Sequence, residues 1–161
     1  MVAVKPLEVK LSALLKEECT ELDIKEKDKT KLIGELAALI ARSLRGKDKK
    51  VFFNALLKRE RLGSTAIGNG VAIPHAKIEG IKKVTLAFGR SLAGVDFSAL
   101  DGEKTYLFFV LISPVKDVGV HLKILAKIAH LLQDKFAVYL LKKARTKKEI
   151  FKVISDIEKS I

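Results

Sequence analysis

The stretch Tyr106-Leu107-Phe108-Phe109-Val110-Leu111-Ile112 most restricts what this chain can fold into, because an unbroken apolar run leaves no side for water. It is rich in aromatic and β-branched residues and is bounded by Asp101-Gly102 and Ser113-Pro114. That combination predicts a buried strand. Val84 to Gly89 has the same character and predicts a second one. A shorter run, Val71-Ala72-Ile73, is stopped by Pro74, and proline disfavours helical backbone at the residue before it. His75 is therefore expected at the end of a third strand.

Buried strands need cover, and helical patterns stand on both sides of this centre in the sequence. From Thr30 to Leu44 the apolar residues Leu32, Ile33, Leu36, Ala37, Leu39, Ile40 and Leu44 recur at helical spacing, and Gly46 follows as a stop. Asp48 is placed to cap a second helix, Lys49 to about Arg61, which buries Val51, Phe52, Ala55, Leu56 and Leu57. Leu62 to Gly70 carries turn chemistry throughout and predicts a loop. Further helices are predicted from about Val120 to Leu132 and from about Asp134 to Lys143. A last one opens on the capping-box pattern Thr146-x-x-Glu149, ahead of Ile150, Phe151, Val153, Ile154 and Ile157. The pattern predicts an α/β fold: a single domain over residues 1–161, with a mixed β-sheet of about five strands flanked by helices on both faces.

Composition removes several classes of function. No apolar stretch approaches the roughly 18 to 20 residues needed to cross a bilayer, and MVAVKPLEVK has no apolar leader segment. A cytoplasmic protein without membrane insertion is expected, with any membrane association peripheral and through a permease. The single cysteine, Cys19, can form neither an internal disulfide nor a cysteine-based zinc site, and is expected to be a small buried hydrophobe. The net charge of +12 raises nucleic acid as a partner. Against it, the lysines are spread along the chain, cluster only at 47–50 and 142–148, and lack interleaved stacking aromatics. The excess reads as solvated surface, so no nucleic-acid partner is expected. A basic regulatory or nucleic-acid-binding module, with His75 merely structural, is the alternative reading.

Imidazole is the side chain whose ordinary pKa lies near neutrality, so His75 can be a neutral nucleophile, with Pro74 helping to fix its direction. Phosphoryl transfer asks mainly for positive charge and hydrogen-bond donors around the transferred oxygens. Arg59, the backbone of Gly68-Asn69-Gly70 acting as a phosphate loop, and a second imidazole are candidates for that support. The glycines do not extend to a dinucleotide fingerprint, since Ile73 stands at the third glycine position, and no Walker motif is present. His121 and His130 are nine positions apart and project from opposite sides of one helix, which leaves His130 structural or exposed. No histidine spacing suits a metal, and neither metal nor organic cofactor is expected.

The segment Glu60-x(6)-Ile67-Gly68-x-x-Val71-Ala72-Ile73-Pro74-His75-Ala76 resembles the phosphorylation-site signature of fructose/mannitol-type enzyme IIA proteins of the phosphoenolpyruvate-dependent phosphotransferase system. The likeness extends to Leu57–Thr65, Gly94–Gly102 and His121-Leu122-Lys123, and so over nearly the whole chain. It implies that His75 accepts a phosphoryl group from the phosphocarrier protein HPr or a paralogue and passes it to a cysteine of an enzyme IIB partner, or uses it to control a regulatory target. It also implies that Arg59 and His121 support the phosphohistidine. The segment from Leu11 to Asp23 resembles the single-domain, nitrogen-related regulatory members, which favours regulation over sugar uptake.

Overall fold

The computed structural model describes residues 9–160, so most of the segment read for a leader lies outside the described residues. The chain opens with one helical turn, α1 (Leu11–Leu14), and a strand, β1 (Leu15–Glu21). Two helices follow, α2 (Lys29–Ser43) and α3 (Lys49–Arg61). Asp28 caps α2 by accepting the Lys31 N–H at 2.9 Å, and Asp48 caps α3 by accepting that of Lys50 at 2.9 Å. Then come β2 (Ala66–Gly68), β3 (Val71–Ala72), β4 (His75–Ile78), β5 (Thr85–Val95) and β6 (Thr105–Pro114). Three helices end the chain: α4 (Val118–Gln133), α5 (Lys135–Lys143) and α6 (Lys147–Ser160). Asp134 caps α5 through the Phe136 and Ala137 N–H groups. Thr146 accepts the Glu149 N–H at the start of α6, while the Glu149 carboxylate reaches back to the Arg145 N–H rather than to that of Thr146.

All six strands form one mixed sheet in the order β1-β5-β6-β3-β2, with β4 also paired to β6. The long β5 and β6 run antiparallel at its centre, and β1, β3 and β4 join them in parallel. Alternation along the central strands serves two cores. Leu86, Phe88, Leu107, Phe109 and Leu111 face Ile124, Ile128 and Leu131 of α4 and the buried sides of α5 and α6. Ala87, Phe108, Val110 and Ile112 face α2 and α3. Edge-to-face ring pairs stand on each side, Phe88 with Phe109 at 5.0 Å and Phe97 with Phe108 at 5.1 Å. Cys19 is fully buried in the α2 and α3 core, and burial pushes its thiol up from the ordinary range, which keeps it protonated and inert.

The expected α/β architecture with helices on both faces is present, and its sheet has six strands rather than about five. Two pieces escape the sequence pattern. Residues 66–68, expected in a loop, form the edge strand β2, and β1 carries too many charges to show an apolar alternation. Among the described residues no helix is long and apolar enough to cross a membrane.

Candidate functional site

Strands β3 and β4 are two pieces of one line along β6. Val71 and Ala72 pair with Leu107 and Phe108, and His75 to Ile78 pair with Leu111 to Pro114, so the register is the same before and after the break. Pro74 occupies that break, and its carbonyl accepts the Leu111 N–H at 2.9 Å. His75 is consequently the first residue of β4 rather than the last of the preceding strand. The two-residue period turns it to the face of its neighbour Leu111, the face that α4 covers.

Helix α4 brings His121 to the same place. The two imidazole rings lie 5.6 Å apart between centroids. His75 is half-buried, whereas His121 is 3% exposed, with Nδ1 held 2.7 Å from the hydroxyl of Ser113. Nδ1 of His75 is 2.7 Å from the carbonyl of Ile73. A carbonyl only accepts, so that nitrogen carries the hydrogen and Nε2 of the neutral ring keeps its lone pair.

Positive charge surrounds both rings. Arg59, in the last turn of α3, donates Nη1 to the Gly63 carbonyl at 2.9 Å, which anchors its guanidinium near His75. Lys77 stands two residues after His75 on the same side of β4 and pairs with Ser113. Burial first, then Arg59 and Lys77, hold the His75 pKa below the ordinary histidine value, against the opposing Ile73 bond and Glu60. Burial, His75 and Lys77 bring that of His121 down to about 4. Both rings are therefore neutral at pH 7, the form a nucleophile needs. Protons that the folded rings refuse are bound by the unfolded chain, so these residues make the fold less stable as pH drops below about 6.5. For His121 the loss reaches about 3 kcal/mol near pH 4. A proton NMR titration is expected to show His121 unprotonated at pH 5 and His75 protonating below pH 6.5; a His121 midpoint above 6 would contradict this geometry.

Of the residues singled out in the sequence, the structure brings His75, His121 and Arg59 together. It does not bring Gly68-Asn69-Gly70 to them. Asn69 and Gly70, at φ 57° and 80°, form the tight turn between β2 and β3, beside Leu107 at the other end of the β6 pairing. Four residues along a strand put the turn about 13 Å from His75. The Asn69 N–H is occupied by the Asp101 carboxylate at 2.9 Å. A phosphate-loop role near His75 is thus corrected to a hairpin turn. His130 is exposed near the C-terminal end of α4, as the helical geometry requires.

Three residues gain parts that sequence reasoning did not give them. Glu60 is buried, accepts the Thr65 N–H and hydroxyl, the latter at 2.6 Å, and pairs with Lys29 at 2.9 Å. It ties the end of α3 to β2, and so steadies the turn that carries Arg59. Lys77 could have been found from the two-residue period after His75. Ser113 looked like half of a turn signal. Among the described residues no cluster of histidine, cysteine and acidic side chains could hold a metal ion.

Known proteins share both the fold and the sequence. The model of the family described as phosphoenolpyruvate-dependent sugar phosphotransferase system, EIIA 2, matches residues 13–157. A nitrogen regulatory protein of Bradyrhizobium diazoefficiens is 39% identical over 132 residues, covering 82% of this chain and 86% of that protein. The PTS system fructose-specific EIIABC component of Bacillus subtilis is 32% identical over 151 residues, 94% of this chain but 24% of that protein. The crystal structure of the nitrogen regulatory protein IIA-Ntr from Neisseria meningitidis superposes with a TM-score of 0.85 at 33% identity, covering 89% of this chain and 98% of that one. Since the family match spans the sheet, α4 and both imidazoles, the chain belongs to the EIIA type 2 family of the phosphoenolpyruvate-dependent sugar phosphotransferase system.

Proposed function

We propose that this chain is a phosphoryl carrier that takes a phosphoryl group from an HPr-type phosphocarrier onto Nε2 of His75. The observation that carries the reading is the bond from Nδ1 of His75 to the Ile73 carbonyl, which leaves a neutral ring with its lone pair on the other nitrogen. In the transfer, the bond from phosphorus to the donor's nitrogen breaks as the bond to Nε2 forms. The hydrogen stays on Nδ1, donated to the Ile73 carbonyl, so no proton has to leave the ring. A partner thiolate then attacks phosphorus, and the electron pair of the N–P bond returns to Nε2. Arg59 and Lys77 offset the charge of the phosphoryl oxygens, and His121 offers a hydrogen-bond donor beside them.

Enzyme IIB is the acceptor that the family membership favours, and a regulatory protein that reads the phosphorylated state is the other. The name of the Bradyrhizobium relative, which this chain matches over most of both lengths, favours regulation of nitrogen-related functions over fructose or mannitol uptake. Incubation with phosphoenolpyruvate, enzyme I and HPr is expected to give an acid-labile mass increase of one phosphoryl group. Absence of labelling by any phosphocarrier of this type would refute the reading and leave a basic binding module in its place.

A further inference from the structure

Ser113 is fully buried in β6, and its hydroxyl has one hydrogen-bonding partner among the described residues, Nδ1 of His121 at 2.7 Å. A serine hydroxyl can donate or accept, and so can an imidazole nitrogen. The two arrangements are not equivalent here. If Nδ1 donated to Ser113, the hydroxyl hydrogen would be left in the interior without an acceptor, and an unmade buried bond is costly. If Ser113 donates, its hydroxyl hydrogen and the Nδ1 lone pair satisfy each other, and the hydrogen of the neutral His121 ring has to sit on Nε2.

The charged and titratable groups around the ring reinforce that state. Burial first, then His75 and Lys77 from β4, disfavours a second proton on it, so His121 stays a neutral ring with a single N–H. We propose that Ser113 is a positioning residue: it donates to Nδ1 of His121 and fixes the hydrogen on Nε2, so that a donor rather than a lone pair meets a phosphoryl group on His75. The consequence for transfer rests on the carrier function proposed above, while the tautomer is a property of the unphosphorylated protein. With the wrong tautomer, the Nε2 lone pair would repel the phosphoryl oxygens across the 5.6 Å between the rings.

The test is two-dimensional long-range proton–nitrogen NMR on histidine-labelled protein at pH 7, combined with phosphoryl-transfer kinetics. Wild type is expected to show His121 with an unprotonated Nδ1 and a protonated Nε2. Ser113→Ala, checked for an unchanged circular dichroism spectrum, is expected to relax His121 to a mixture of tautomers and to slow transfer to His75 roughly tenfold. Ser113→Thr keeps the hydroxyl and is expected to restore both readouts. A wild-type spectrum with the hydrogen on Nδ1 would overturn the proposal. So would a Ser113→Ala variant whose tautomer is unchanged, whatever its rate. Failure of wild type to be phosphorylated at all would instead sink the carrier function and leave the tautomer result standing.

Discussion

His75→Ala is expected to lower labelling from the phosphorylated carrier on the order of 10³-fold or more, to background, while the protein remains folded. The size of the effect follows from the site's composition. Transfer through a covalent intermediate has no substitute for the atom that forms the bond, and His121, the one other imidazole nearby, is poorly suited to take over. It is 3% exposed, and its Nδ1 is held by Ser113. The fold should barely respond, because His75 is half-buried at the start of β4 and its ring contributes one bond to a carbonyl, worth about 1 kcal/mol. Intact-mass spectrometry in acid-free buffer, with circular dichroism as the control, decides the matter. Equal labelling of the alanine variant would move the acceptor elsewhere even if the chain carries phosphate.

The position of His75 was readable because Pro74 is a strong local signal and the signature around it is long. Its chemistry was less so. Which ring nitrogen keeps its lone pair depends on the Ile73 carbonyl, which the continuous register of β3 and β4 along β6 holds in place. Lys77 comes beside Ser113 and His121 because β4 pairs with β6 at an offset that no one-dimensional pattern contains, while Ser113 meets His121 across the turn from β6 to α4. The glycine turn shows the converse error. Gly68-Asn69-Gly70 has the composition of an anion-binding loop, but Asn-Gly is also the favoured two-residue hairpin turn, and pairing of Gly68 with Val71 selects that role.

The helices were legible from their caps and apolar spacing, and the central strands from their density of apolar residues. Strand β1 was not, because it lies at the sheet edge, where Lys16, Glu17 and Glu18 face solvent and only one neighbour is available for pairing. Charges on an edge strand discourage pairing with a second molecule, so the features that hide β1 from a pattern search suit its position. The predicted strand ending at Gly89 was too short for a different reason. The apolar run stops at the charge of Arg90, yet β5 continues to Val95 with Arg90 buried inside it.

That buried arginine carries the second large prediction. Arg90 is 5% exposed, and among the described residues no carboxylate is in ion-pair contact with it. It donates instead to backbone carbonyls: Nε to Leu22 at 3.0 Å, and Nη1 to Leu141 at 2.9 Å and Ala144 at 2.6 Å, with Lys142 at 3.3 Å. The carbonyls at the end of α5 have no partners within their own helix, and a cation there also answers the helix dipole. One side chain thus joins β5, the segment after β1 and the last turn of α5. Arg90→Met keeps the apolar stem but leaves these carbonyls unmatched, and is expected to cost about 3 kcal/mol, or roughly 10 °C in Tm for a chain of this size. Arg90→Lys should recover only part of the loss, because a single ammonium cannot reproduce a fork that reaches Leu22 and Ala144 at once. Urea denaturation with both variants checks the claim: a Met variant within about 0.5 kcal/mol of wild type, the range of an ordinary surface substitution, would show that water satisfies the end of α5 without Arg90.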